Sequence, residues 1–388
     1  MSTVGIGLIG CGNRLTEVMA RVVQGHEGVR VTALCDVSDD ALDLARRRCE
    51  CPDAVVHQDY RDLINDPSVD WVAVGSWNCF HKEHILAALE AEKHVFSEKP
   101  LTINIEDCAL LKKAIEEKKL LFSMGFILRY AEFYRRVKAL IEDGVIGEIV
   151  SFEFNETLDF NHGGYIMQDW RRFRENAGTH LLEKCSHDFD LANWLTGSLP
   201  VRTASFGGLS FFTPENAGLI NEIEPTEDGV PAYQTWQQMG IYTRANRLNP
   251  FTTEKNIIDN QVVILEYANG VRATFHTNLN TAIPERRFYL CGTKGTIRGD
   301  VMAGHIEYRR IGFDPGTVHE KTASGGHGGA DGILADGIRD SMLNGTVPVV
   351  GLEDGVKSAV ACFGVDKAMD SGQVVDLRPM WDLVDIQP

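Results

Sequence analysis

The order of features between Val4 and Asp36 constrains this chain most. Residues 4–9, Val-Gly-Ile-Gly-Leu-Ile, form an apolar run of strand length. Gly10-Cys11-Gly12-Asn13-Arg14 follows, then a helix-like segment from Leu15 to Gln24. A second strand pattern, Val29 to Cys35, stops at Asp36. Strand, glycine turn, helix, strand and acid in that order suit a dinucleotide. Gly10 permits the tight turn, and Gly12 lets a pyrophosphate approach the backbone. Asn13 and Arg14 lead into a helix whose free N–H groups and positive dipole end favour phosphate. Asp36 falls at the distance where a carboxylate accepts from the ribose hydroxyls, and it repels a 2′-phosphate. The expected cofactor is therefore NAD in preference to NADP. Leu15 stands where a third glycine is usual, so the two glycines take their meaning from the surrounding order.

The alternation continues. Trp71 to Gly75 reads as a strand, Ser76 to His81 as a loop, and Lys82 to Glu92 as a helix. Strand His94 to Ser97 leads into Glu98-Lys99-Pro100, then helix Ile105 to Lys118 and strand Leu120 to Met124. Such a βα series gives a doubly wound parallel sheet, with ligands at the carboxyl ends of its strands. That rule places Ser76, Asn78, His81, Glu98 and Lys99 near the cofactor.

From about Glu148 the texture changes. Glu148–Glu156, Val201–Phe212, Gln261–Ala268, Val271–Asn278, Arg286–Cys291 and Ile306–Ile311 alternate like half-buried strands, and Asn269-Gly270 is a hairpin turn. A large, mostly antiparallel sheet with one open face is expected here. Residues 213–260 are irregular and rich in acids, prolines and asparagines; they read as a pocket lobe or an interface.

Thr179 to Leu195 has helical periodicity. Leu182, Cys185, Phe189 and Ala192 share an apolar stripe, while Glu183, Lys184 and His187 fall together on another face. An acid, an amine and an imidazole can thus be aimed together, with His187 suited to general base chemistry. Either Glu183 or Lys184 can be the inward group. Trp170-Arg171 fits a cofactor contact or a buried Trp beside a salt-bridged Arg. His162 in "FNHGGY" and His327 in "GGHGGAD" lie in glycine-rich loops suited to sugar hydroxyls, or serve as plain turn residues.

Bulk properties exclude several partners. A formal net charge of −17 argues against nucleic acid and anionic membrane. No apolar run approaches a membrane span of about 20 residues. The opening residues show no basic, apolar targeting pattern, so a cytoplasmic protein is expected. The nine cysteines are scattered, and Cys49 and Cys51 lack a second pair to complete a metal set. Reduced thiols and no bound metal are expected.

"GLIGCGNR", "EKP" and "HLLEKCSHDFDLANWLTG" together resemble the Gfo/Idh/MocA family of sugar and polyol oxidoreductases. "ILRYAEFYRRVKALIEDGVIGEIVSFE", "RRFYLCGTKGTIRGD" and "GGHGGADGIL" resemble its second domain. The resemblance implies a Rossmann domain over residues 1–124 and an α/β substrate-binding and oligomerisation domain over 125–388. It implies an NAD-dependent dehydrogenase acting on a secondary hydroxyl of a sugar, glycoside or cyclic polyol. Lys99 would donate to the reacting hydroxyl, Glu98 would hold loop and cofactor, and Pro100 would be cis. His187 matches the catalytic histidine. The family usually has Asp where this chain has Glu183, and often Gly where it has Cys185; Lys184 resembles a branch carrying lysine there. Trp170-Arg171 resembles a pair reaching the nicotinamide end. His162, His327, Lys99, Lys184 and His187 would meet the substrate. A homodimer or homotetramer through the open sheet is implied. The rival expectations are a glycosidase or lyase with tightly held NAD, and a non-catalytic sugar or NAD sensor.

Overall fold

Six strands form one wholly parallel sheet: β1 (Val4–Ile9), β2 (Val29–Cys35), β3 (Val55–Val56), β4 (Trp71–Val74), β5 (His94–Ser97) and β6 (Phe122–Met124). Their order, β3-β2-β1-β4-β5-β6, reverses direction between β1 and β4, the switch point where such sheets bind ligands. The strands are runs of apolar residues because helices cover both faces; all four residues of β4 are buried. The intervening helices are α1 (Asn13–Val23), α2 (Asp39–Arg48), α3 (Tyr60–Asn65), α4 (His81–Glu90) and α5 (Ile105–Lys118). Capping sets their starts: Ser38 accepts from the Ala41 N–H, and Asn104 from that of Asp107. The stretch holding α2, β3 and α3 carries no clear pattern in the sequence, because β3 has two residues and α3 six.

The computed structural model describes residues 3–235 and 248–388. They divide into two compact units, residues 3–126 with 331–359, and residues 127–235, 248–330 and 360–388. The second unit holds β7 (Ile149–Asp159), β8 (Pro200–Gly208), β9 (Asn260–Tyr267), β10 (Arg272–Thr281), β11 (Arg287–Gly292), β12 (Gly295–Asp300), β13 (His305–Arg310), β14 (Val318–Lys321) and β15 (Val375–Asp376). They pair in the order β14-β13-β12-β11-β7-β10-β9-β8-β15, antiparallel except for β7 beside β10. Helices α6 (Glu132–Glu142), α7 (Phe160–Ile166), α8 (Arg174–Ala177) and α9 (His180–Thr196) follow in sequence, then α10 (Ala330–Asn344), α11 (Leu352–Ser371) and α12 (Arg378–Leu383).

Helix α9 lies on the inner face of this sheet, where Phe189 meets Phe154 and Phe275 edge-on at ring distances of 5.9 and 5.2 Å. The sequence predicts an apolar stripe on α9; the helix is instead buried nearly all round. Ion pairs make that possible, since Asp190 takes a bidentate bond from Arg129 at 2.8 and 2.7 Å. The outer face of the sheet is open and carries Phe206, Val262 and Ile264.

Described residues between 210 and 258 contribute to a second core. Phe212, Tyr233, Phe251 and Ile257 pack with Leu158, Ile166, Met167 and Leu279. Residues 236–247 of this segment lie outside the described ones. The same packing corrects the expectation of a glycine-rich loop at "FNHGGY": those residues are helical, in α7. Gly163 and Gly164 are there for close approach. A Cβ on Gly164 would meet the Tyr233 carbonyl oxygen.

Residues 331–359 complete the first unit. Arg339 donates to the Val22 and Arg21 carbonyls at 2.7 Å each, satisfying the open C-terminal end of α1. No helix among the described residues is long and apolar enough to cross a membrane.

The start of α9 carries a titratable lock. Thr179, its N-cap, accepts from the Leu182 N–H and donates to Asp366 Oδ2 at 2.5 Å. Burial pushes the Asp366 carboxyl up to about 7. A raised carboxyl keeps its proton in the folded state, so its contribution is complete below the ordinary range and lost as pH rises through about 7. Asp366→Asn should therefore gain on wild type between about pH 4 and 7, by up to about 1.4 kcal/mol per pH unit, and no further above that range. Denaturant unfolding of both proteins across that range tests it; parallel curves would remove Asp366 as the cause.

Candidate active site

The first unit presents a cradle at the carboxyl ends of β1, β2, β4 and β5. Gly10 has φ +82°, and a Cβ there would lie 2.4 Å from the Ser76 nitrogen, so only glycine makes this turn. Gly12 is different. Its φ is −66°, which any residue adopts, and a Cβ would meet nothing within 4 Å. The protein's own packing does not require glycine there, and the open space leaves room for a phosphate against the backbone. Asp36 is pre-oriented, its two oxygens accepting from Cys11 N–H at 2.6 Å and Ser38 N–H at 2.8 Å. The next side chain, Val37, is fully exposed. These residues fit an adenosine ribose and pyrophosphate.

The other first-unit residues divide into groups that can face a ligand and groups spent on the scaffold. Asn13 Oδ1 accepts from Arg48 at 2.6 Å. Arg14 donates to Asp331 at 2.8 Å and lies 3.5 Å from Glu98 Oε1. Glu98 is buried, and Gly125 gives it room. The Lys99–Pro100 peptide is cis, and Lys99 is half-buried at the tip of this loop. Asn78 is buried at the start of a short 3₁₀ turn. His81 departs from expectation. It is fully buried, with Nδ1 2.8 Å from the Pro100 carbonyl and Nε2 3.1 Å from that of Ser76. It ties the two loops together and does not line an open cofactor surface.

In the second unit, α9 brings Glu183, Lys184 and His187 to successive turns. Glu183 is buried and takes Arg171 Nε at 2.9 Å. Arg171 also donates to Asp169 at 2.6 Å and to the Tyr165 hydroxyl at 2.9 Å, and lies over the Trp170 ring. The Trp170-Arg171 pair is thus half-buried and ion-paired within its own unit. Lys184 keeps about a fifth of its side chain exposed and sits 3.6 Å from Glu156 Oε1. His187 is buried one turn further along. His162, on α7, belongs to the same neighbourhood: burial first, then the Lys184 ammonium, hold its imidazole well below the ordinary range. His327 lies in a turn where its carbonyl caps Ala330.

Three residues that sequence reasoning missed complete the array. Glu156 Oε1 is 3.1 Å from Arg286 Nη1, and Arg286 binds both oxygens of Asp188 at 2.8 and 2.6 Å. Burial pushes the Asp188 carboxyl up, with Arg286 opposing and Glu156 adding to the rise. Burial would also raise Glu156, but Arg286 and Lys184 outweigh it and hold the carboxyl below its ordinary range. A signal was present. Glu156 shares strand parity with Phe152 and Phe154, and Arg286 with Phe288 and Leu290, so each is a charge on an apolar face. Glu156, Cys185 and Asp188 have donor atoms within 4.8 Å of one another, yet Arg286 and Lys184 already supply the positive charge a metal would bring.

Comparison with known proteins agrees with this architecture. The model of an oxidoreductase family with an NAD-binding Rossmann fold matches residues 4–126, and that of its C-terminal alpha/beta domain matches residues 138–377. The chain is 24% identical over 371 residues to a putative oxidoreductase, YteT, of Bacillus subtilis (strain 168), covering 84% of this chain and 86% of the relative. It is 38% identical over 198 residues to an inositol 2-dehydrogenase of Gluconacetobacter diazotrophicus, 50% of this chain and 54% of that one. A solved levoglucosan dehydrogenase, in complex with NADH and levoglucosan, superposes with TM-score 0.77 over 97% of this chain and 100% of the other. At 19% identity that likeness is one of fold. With both domain models matched in order along nearly its whole length, the chain belongs to the Gfo/Idh/MocA oxidoreductase family, and its first unit is an NAD-binding Rossmann domain.

Proposed function

We propose that this protein is an NAD-dependent dehydrogenase that oxidises a secondary hydroxyl of an uncharged sugar, glycoside or cyclic polyol. The observation that carries the substrate class is the charge balance of the second-unit array. Arg171 is matched by Asp169 and Glu183, and Lys184 and Arg286 by Glu156 and Asp188. No surplus cation in this array awaits a carboxylate or phosphate, whereas its hydrogen-bonding groups suit hydroxyls. The inositol 2-dehydrogenase relative supports the same class. NAD, when bound, supplies the hydride acceptor. His187 takes the hydroxyl proton at an imidazole nitrogen. Lys99 and Lys184 orient the hydroxyl and stabilise its alkoxide character. His162, kept neutral by burial and the Lys184 ammonium, can accept or donate one hydrogen bond to a ring hydroxyl.

The test is absorbance of NADH on mixing protein, NAD and a panel of inositols, neutral sugars, glycosides, uronates and sugar phosphates. A steady rise confined to uncharged rings is expected. A rise with uronates or phosphates alone would overturn the substrate class. A flat trace, with NAD found in the purified protein and a glycoside cleaved, would favour transient oxidation instead.

The open sheet face supports self-association as a homodimer or homotetramer. Phe206 pairs across from Val262, and Ile264 lies beside them, at 74%, 50% and 57% exposure. A contiguous apolar patch of this kind is costly in water. Light scattering should report an oligomer for the wild type and a smaller species for Ile264→Asp; a monomeric wild type would end this proposal.

A further inference from the structure

We propose that Glu156 is the positioning residue for Lys184: its buried carboxylate fixes where that ammonium stands and ties it, through Arg286, to Asp188. The inference deepens the dehydrogenase reading and rests on it for the role of Lys184, but not for the geometry.

Strand β7 delivers Phe152, Phe154 and Glu156 to the inner face of the sheet, and Glu156 is 3% exposed. A carboxylate that deep is tolerated only when paired. Its partners come from two different elements. Arg286, just before β11, lies 3.1 Å away and Lys184, on α9, 3.6 Å away. Arg286 already has a bidentate partner in Asp188, so its own charge is compensated without Glu156. Glu156 shares a hydrogen bond with Asp188 as well, and what it adds beyond that pair is a hold on Lys184. A lysine has a flexible four-carbon stem and a single point charge, so a partly exposed one takes its direction from the anion it meets. Asp188 follows Lys184 by one helical turn, and Arg286 bridges Asp188 back to Glu156. The four charges close a loop across β7, α9 and the Arg286 segment. His162 from α7, Cys185 from α9 and Tyr134 from α6 also feel this charge.

Pulse acetylation of the NAD-loaded full-length protein at pH 8 tests the inference without any sugar. Labelling of Lys184 is read by mass spectrometry, with the exposed Lys113 as internal standard. In Glu156→Gln the ammonium loses its carboxylate and keeps Arg286 nearby, so labelling of Lys184 should rise by about threefold or more. Glu156→Asp keeps the charge but withdraws it by one methylene, and should give a smaller rise; it decides the matter if the Gln variant fails to fold. With the polyol identified by the panel, Glu156→Gln should lower kcat by about tenfold with KM little changed, and the Asp variant should recover part of the loss. Unchanged Lys184 labelling in a folded variant overturns the inference, whatever happens to turnover. If no polyol is oxidised by the wild type, the dehydrogenase reading fails while the labelling still judges Glu156.

Discussion

Replacing His187 by alanine is expected to lower kcat by about two or more orders of magnitude, while NAD still binds. The two outcomes separate because the cofactor cradle, with Gly10, Gly12 and Asp36, is built by the first unit, and His187 stands on α9 of the second. His187 is buried, so truncation also leaves a cavity; a thermal melt distinguishes a folded, inactive protein from an unfolded one. Turnover near the wild-type rate in the folded variant would remove His187 from the mechanism. Normal KM with a collapsed kcat is the pattern of a group that acts in the transition state.

Gly163→Ala should be the most damaging small change in the second unit. A Cβ on Gly163 would lie 1.8 Å from the Leu279 carbonyl oxygen and 2.8 Å from its carbonyl carbon. Both are backbone of β10, at the register shift just past its last regular pairs, where the Leu279 N–H is still held by the Asp259 carbonyl at 2.9 Å. Helix α7 would have to lift away from the sheet, at a cost of about 3 kcal/mol. His162 precedes Gly163, so displacement of α7 should also lower turnover. Gly218→Ala is the control: its Cβ would meet nothing within 4 Å, and the change should stay within about 0.5 kcal/mol. Equal melting temperatures for the two variants would refute the close-approach account.

The cofactor half of this protein was largely legible in the sequence. Its signals are local: an apolar run, a glycine turn, a helix and an acid within the first 36 residues, and Glu98-Lys99-Pro100 at a strand end. Backbone geometry ties such neighbours together, so position along the chain nearly determines position in space. Even there, His81 departs from what its local position implies. Its place in a loop after β4 suggested a cofactor contact, but the fold closes it between the Ser76 and Pro100 carbonyls. Nor does local pattern say that residues 331–359 return to cap α1.

The charge array of the second unit was decided by tertiary structure. Strand parity alone places Glu156 and Arg286 on apolar faces and so marks them as needing partners, but it cannot name those partners. Glu156, Lys184, Asp188 and Arg286 come from β7, α9 and the segment before β11, and they meet because β11 pairs with β7 while α9 crosses the inner face of the sheet. Whether Glu183 or Lys184 serves the site is also a matter of pairing: Arg171 holds the first, and Glu156 reaches the second. Residue type and periodicity determined which groups this chain possesses and which face each occupies. Only the long-range packing of the sheet decided which charges lie within about 4 Å of one another, where in a water-poor interior Coulomb attraction is strong enough to fix a side chain and shift its protonation.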